Sequence, residues 1–184
     1  MIRHGESETN KNRQWTGWLD VPLTERGEAE AEKVGELLSK TSFDKIYASD
    51  LSRAKKTAEI ALPGCKYEVT EALREINVGN IAGKPLDVVT DDESKLLGED
   101  GYAIFDGEGR AEFGNRVCGF MRMLEEQSCE NIALFSHAGF LRQAVDTVLG
   151  VEVPRGKMCC KNCAVAIFEY SDKTWKLHSW MNLY

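Results

Sequence analysis

The tetrapeptide Arg3-His4-Gly5-Glu6 sets an imidazole between a guanidinium and a glycine almost at the first residue. A second imidazole, His137, follows the apolar run 131–136 and precedes Ala138-Gly139. Of three histidines in the chain, these two stand where an expected strand ends and the chain turns. α/β proteins place ligand-contacting groups at such points. A neutral imidazole is a good nucleophile and can carry a phosphoryl group covalently. Two arginines and a second imidazole would stabilise the charge on the equatorial oxygens in transit. Arg53 falls in the opening turn of an expected helix, with Lys55 and Lys56 behind it. Exposed cations there oppose the helix dipole at a cost of roughly 0.3–1 kcal/mol each, and a bound anion would reverse that sign. Arginine also grips two phosphate oxygens at once, which lysine cannot. From its helix alone, Arg53 is expected to face solvent. Glu75 is a carboxylic acid able to protonate a leaving oxygen and then take a proton from water. Arg74 beside it would lower its pKa unless the two side chains point apart. A helix opening near Ala138 would aim free N–H groups at whatever lies beside His137.

The elements that must hold these groups alternate. A helix is expected over 24–40, with Thr24 as N-cap, Glu25 and Glu28 in its first turn, and Val34, Leu37, Leu38 and Thr41 as its apolar side. A short strand covers 45–48, and a helix capped by Ser49 or Asp50 runs to about Ala61, ended by Pro63-Gly64. Residues 66–69 form another strand, and 71–83 are irregular, with hinges at Asn77, Gly79 and Gly83. Residues 91–109 read as a helix followed by a mobile loop able to cover a site; its Tyr102, Ile104 and Phe105 serve either the core or a cap on an apolar substrate. Helical spacing returns over 111–126, a buried strand spans 132–135, and a helix runs 140–149. Two strands, 164–170 and 175–180, flank a Ser-Asp-Lys turn as a hairpin. This alternation favours a sheet between helices, and one domain over 1–184.

Composition narrows the class. At 184 residues the chain can bury a proper core. A net charge of −7 argues against a general nucleic-acid binder but not against a small anionic substrate. No apolar stretch is long enough to span a bilayer, and no secretion signal opens the chain, so a cytoplasmic protein is expected. Of six cysteines, Cys160 and Cys163 form Cys-x-x-Cys beside Cys159. No second ligand pair follows at metal-binding spacing, and structural thiols are the expectation.

Taken together, these segments resemble the histidine phosphatase superfamily, the phosphoglycerate mutase-like family. Arg3-His4-Gly5-Glu6 matches its opening signature, and Asn10 its phosphate-contacting asparagine. Thr16-Gly17-Trp18, Pro22-Leu23-Thr24 and Gly27 match the following loop and helix start. Ser49-Asp50-Leu51-Ser52-Arg53-Ala54 with Thr57-Ala58, Leu73-Arg74-Glu75-Ile76 with Gly79 and Gly83, and Ser136-His137-Ala138-Gly139 with Arg142 complete five motifs in order. The resemblance implies an α/β fold, a three-layer αβα sandwich around a mostly parallel central sheet, with the site at the strands' carboxyl ends. It implies His4 as the phosphorylated nucleophile, Glu75 as proton donor and then base, and Arg3, Arg53 and His137 around the phosphoryl. Gly5, Asn10, Thr16, Gly17 and Ala138 would complete the substrate contacts. No metal or cofactor is implied, since the arginines supply the positive charge. The implied activity is a phosphomonoester phosphatase acting through phosphohistidine on a small phosphorylated metabolite. The alternatives are a phosphoglycerate mutase, which would need a bisphosphorylated cofactor, and an inactive phosphate-binding relative. Dimers are common in such folds, and the carboxyl-terminal hairpin is an edge where a homodimer would form.

Two departures stand out. Only Met1 and Ile2 precede Arg3, where the family has a strand of several residues. The expectation is a truncated first strand, a chain that begins late, and a weakly anchored His4. The segment 83–111 is short, with Gly109-Arg110-Ala111 where many phosphatase relatives have Gly-Glu-Ser, which favours a phosphatase over a mutase.

Overall fold

The computed structural model describes residues 1–154 and 157–183, the side chains of 98 and 99 apart. In chain order the elements are β1 (Ile2–Arg3), α1 (Glu8–Lys11), α2 (Glu25–Leu38), β2 (Lys45–Ser49), α3 (Ser52–Ala61) and β3 (Glu68–Thr70). There follow α4 (Asp91–Asp100), α5 (Arg110–Glu125), β4 (Ile132–Ser136), α6 (Ala138–Leu149), β5 (Val165–Ser171) and β6 (Thr174–Met181). Short 3₁₀ turns fill parts of 71–105. The strands form one sheet in the order β3-β2-β4-β1-β5-β6. β3, β2, β4 and β1 pair in parallel, and β5 and β6 close the sheet antiparallel.

Successive side chains of a strand point to opposite faces, so β2 and β4 can feed two cores. Ile46, Ala48, Ala133 and Phe135 face Val34 and Leu38 of α2 and Ala58 and Ala61 of α3. Tyr47 and Leu134 face Phe113, Val117 and Phe120 of α5 and Phe140 and Ala144 of α6. Strands buried on both faces read as continuous apolar runs, as β4 does. The result is the three-layer αβα sandwich.

The layers fix where a ligand can sit. The chain leaves β1 for α2 on one face and leaves β4 for α6 on the other. β1 and β4 are neighbours, so their carboxyl ends frame a crevice at a topological switch point. His4 and His137 are the first residues beyond those two strands.

Several expectations need correction. α2 ends at Leu38, not Lys40; Leu37 and Thr41 are exposed, and the buried face is Gly27, Glu30, Ala31, Val34 and Leu38. Residue 37 lies about 60° around the helix from residue 34, just past the edge of the buried stripe that Glu30 bounds. α3 is capped neither by Ser49 nor by Asp50: Leu51 is its N-cap residue, and Asp20 Oδ1 accepts from the Ser52 N–H at 2.7 Å. The stretch after α4 is not a free loop. Tyr102 N–H donates to Glu108 O at 3.1 Å, Glu108 N–H to Asn77 O at 2.8 Å, and Tyr102 is buried. α6 begins at Ala138 rather than Phe140. α1 has no counterpart among the expected elements, being a single turn. The hairpin forms as read, with Asp172 and Lys173 both in the left-handed region that a two-residue turn requires.

β1 is indeed two residues long, yet His4 is held. His4 N–H donates to Ser136 O at 3.0 Å, and His4 O accepts from Cys163 N–H at 3.2 Å. Anchoring depends on partners on both sides, and β4 and the turn ahead of β5 supply them.

Candidate active site

The tautomer of His4 follows from its neighbours. His4 Nδ1 lies 2.7 Å from Gly5 O. A carbonyl only accepts, so the proton sits on Nδ1 and Nε2 carries the lone pair. Arg53 Nε–H donates to that Nε2 at 3.3 Å. Burial, then Arg53, then Arg3 hold the His4 pKa well below the usual imidazole value, so the ring is neutral and basic toward an electrophile. The backbone turn that presents it rests on two glycines. A side chain on Gly5 would strike Gly27 O, and one on Gly27 would strike Glu6 O. Their bare α-carbons let the β1 exit and the start of α2 touch. Gly5, expected among the substrate contacts, spends its N–H on Thr57 Oγ1 and its carbonyl on His4.

Arg53 is fully buried, contrary to the solvent-facing expectation. Its Nη1 and Nη2 donate to Leu19 O at 2.9 Å and Gly17 O at 2.8 Å. Burial pulls its pKa down to about 10, with Glu75 opposing, and it stays a cation at neutral pH. Gly17 therefore meets Arg53 with its carbonyl, and Thr16 Oγ1 pairs with Thr9 Oγ1 at 2.7 Å. Arg3 Nη1 donates to Cys160 O, while its Nε is buried with no partner.

His137 lies edge-to-face against His4, with ring centroids 5.1 Å apart. It is fully buried, and neither ring nitrogen has a partner. Burial first, then Arg53, hold it neutral as well. Buried polar atoms are normally satisfied. Here Arg3 Nε–H, Arg142 Nε–H and the single N–H of the neutral His137 are unpartnered, and three such buried donors around one crevice fit an anion. Ala138 opens α6 beside them.

Glu75 reaches the same crevice. Its Oε2 accepts from Gly139 N–H at 3.0 Å and its Oε1 from Ile76 N–H at 2.9 Å. A Cβ on residue 139 would overlap Oε1 outright, so glycine is what admits the carboxylate to the first turn of α6. Arg74 points the other way. It pairs with Asp50, with Nε–Oδ1 at 2.8 Å, and stacks 4.7 Å from the Trp18 ring.

Several residues of the site escaped sequence reasoning. Arg116 forks onto buried Glu108 at 2.9 and 2.7 Å and donates to the carbonyls of Ala72, Arg74 and Glu75. It thereby fixes the loop that carries the acid. A signal existed: residue 116 is spaced i+3 from Phe113 and i−4 from Phe120, on the core-facing side of α5. Trp18 Nε1–H donates to Glu75 O at 2.7 Å and ties the 14–19 loop to the same turn. Asn162 Nδ2 donates to Asn10 Oδ1 at 3.0 Å and to His4 O at 3.3 Å. Asn10 Oδ1 also accepts from Ser7 N–H at 3.3 Å, which leaves the Asn10 amide nitrogen as the end available to a substrate. Nothing in the sequence pattern marks Asn162.

The same turn explains the cysteines. Cys160 and Cys163 are buried thiols, pushed up to about 11 and 12 by burial, and hence protonated. Cys163 packs with Ile2, Phe135 and Val165, and Cys160 with Leu141 and Ala164. All six cysteines are free.

Comparison with known proteins adds to the geometry. The family model of the histidine phosphatase superfamily (branch 1) matches residues 1–183. The chain is 31% identical to the "Probable phosphoglycerate mutase GpmB" of Salmonella arizonae over 98% of its own length and 88% of that protein. It is similar to the α-ribazole phosphatase of Shigella flexneri, with a TM-score of 0.84 and 28% identity over 97% of this chain and 93% of that one. It is also similar to a mutant phosphoserine phosphatase of Entamoeba histolytica in complex with phosphoserine, with a TM-score of 0.86 and 25% identity over 97% and 93%.

Proposed function

The chain belongs to the histidine phosphatase superfamily, branch 1, and from that premise we propose that it hydrolyses phosphomonoesters through a phosphohistidine at His4. One observation carries the proposal above the others. The Nδ1–H of His4 is committed to Gly5 O, so the lone pair is on Nε2, where it accepts from Arg53 Nε–H in the same crevice as buried donors of Arg3, His137 and Arg142 that lack partners.

The reaction follows from these positions. The phosphoryl group lies among Arg3, Arg53, His137 and the Asn10 amide, with charge on its equatorial oxygens met by guanidinium groups in a buried crevice. His4 Nε2 attacks phosphorus, and the bond to the leaving oxygen breaks. Glu75, protonated, gives its proton to that oxygen. Water then attacks phosphorus, Glu75 takes a proton from it, the bond to His4 breaks, and phosphate leaves. Both imidazoles enter neutral, so the cradle gains no charge before substrate arrives.

The substrate is a small phosphorylated metabolite, and a cytoplasmic location belongs to the same proposal; six free thiols fit a reducing compartment. The names of relatives such as the Salmonella protein favour a second reading, a phosphoglycerate mutase that returns phosphate to the sugar acid. Two measurements decide. With a phosphate ester, an acid-labile phosphoprotein should form on the intact chain and not on His4→Ala; turnover that survives the substitution removes His4 as nucleophile. With 3-phosphoglycerate, phosphate release exceeding isomer formation supports the hydrolase, and the reverse supports the mutase.

A further inference from the structure

We propose that the cavity on the alcohol side of the phosphate crevice selects esters of bulky, uncharged alcohols with an apolar, ring-sized body. This rests on the phosphatase reading above and names the substrate class for it.

The cavity encloses about 730 Å³. Its lining includes Thr16, Gly17, Glu75 and Gly139, so the acid and the phosphate-side loop open directly into it. That continuity makes it the place where a leaving group must lie. One wall is apolar: Trp15, Val78, Leu97, Tyr102 and Phe113, with Leu86 at the rim. Trp15 and Tyr102 meet edge-to-face with centroids 5.7 Å apart, an aromatic surface on which a ring can pack. Polar groups complete the lining. Arg110 is paired with Glu152, Arg142 lies close enough to Arg3 to depress its pKa, and Asp146 adds a second carboxylate beyond Glu75.

A cavity of this size and lining is that of a drug-sized ligand rather than a three-carbon acid. Phosphoglycerate or phosphoserine would leave most of the space to water. Their carboxylate would compete with the phosphoryl group for Arg142 or with Glu152 for Arg110, and would otherwise face the apolar wall or Asp146. An alcohol bearing a ring covers the apolar wall and leaves the polar groups to a hydroxyl.

The test compares alkyl esters, so that the leaving oxygens are chemically alike: 2-(1-naphthyl)ethyl phosphate, glycerol 3-phosphate and 3-phosphoglycerate. The naphthyl ester should show a kcat/KM at least about tenfold above the other two, a ratio within the reach of an apolar pocket. Leu97→Gln and Leu86→Asp should each shrink that ratio by about threefold or more. Leu86 is 43% exposed at the rim, which keeps the test open if Leu97→Gln fails to fold. Equal or better turnover of either small polar ester overturns the substrate class and leaves the phosphatase standing. Failure to hydrolyse any of the three, with no phosphoprotein at His4, overturns the phosphatase reading and this proposal with it.

Discussion

Gly139→Ala would separate the proton-transfer role proposed for Glu75 from folding. The added methyl would overlap Glu75 Oε1 and stand 3.0 Å from Cδ. The carboxylate ends a flexible side chain, so it yields rather than the backbone. A retreat on the order of 1 Å removes it from the Gly139 amide, and misplacement of that size costs roughly 10²-fold in rate. Losing one charge-assisted hydrogen bond costs about 1.5–3 kcal/mol. Alanine's advantage over glycine in a helix returns up to about 1 kcal/mol. The variant should therefore fold, with Tm lower by about 2–8 °C. The assay is kcat/KM for phosphoenzyme formation with two esters. An alkyl phosphate needs its leaving oxygen protonated and should lose roughly 10²-fold. 4-Nitrophenyl phosphate leaves as a weak base and should lose only a few-fold. Equal losses on both esters, or no loss on either, would refute the assignment of Glu75 as the acid.

Other consequences are as testable. Asn162→Ala should raise KM for phosphate esters by up to about tenfold, the range of one lost hydrogen bond. Asn162→Asp should be worse, because a carboxylate would face two oxygens, Asn10 Oδ1 and His4 O. Steady-state kinetics with a Tm control reads both. Arg116→Met strands Glu108 as a buried charge and should cost about 3–5 kcal/mol in urea unfolding; the double change with Glu108→Met should recover part of it. His4 and His137 have folded pKa values depressed below 6.5, so the folded state binds fewer protons than the unfolded one. Their stabilisation is fully present above pH 6.5 and is lost as pH falls toward the folded values, at up to about 1.4 kcal/mol per histidine per pH unit. Urea midpoints from pH 8 to 5 should fall accordingly, and His137→Asn should flatten the slope; a slope unchanged by that variant would contradict the buried neutral ring.

Much of the frame was legible because it rests on local pattern. The apolar runs of β2 and β4 and the Thr24 cap with its acidic first turn announce elements that tertiary packing leaves alone. Arg53 was legible as an oddity but not as a buried group, since burial of a cation depends on the carbonyls of Gly17 and Leu19, more than thirty residues away in sequence. Leu37 misled because leucine is equally at home on an exposed helical face, and one turn of helix does not say which side meets the sheet. The acid's direction was undecidable from adjacency with Arg74. It is set by Asp50 and Trp18 on one side and the Gly139 amide on the other. The supports from Arg116 and Asn162 are long-range hydrogen bonds: spacing places Arg116 on the core-facing side of α5 but names no partner for it, and no pattern marks Asn162. The shortness of the first strand is plain from two residues ahead of Arg3, but what holds His4 is not, because its partners lie in β4 and ahead of β5.

That last arrangement has a bearing on how the protein comes into being. Ile2 pairs with Phe135 on one side and Val165 on the other. On a ribosome adding about 5–20 residues per second, the head of the chain waits roughly 7–30 s for those partners. Helices and the β2–β3 pair can form in the interval, but the reactive centre cannot, whatever has already collapsed. Catalytic competence should therefore switch on only once β4 and the turn ahead of β5 have emerged, which would keep shorter nascent chains from acting on the phosphate esters around them.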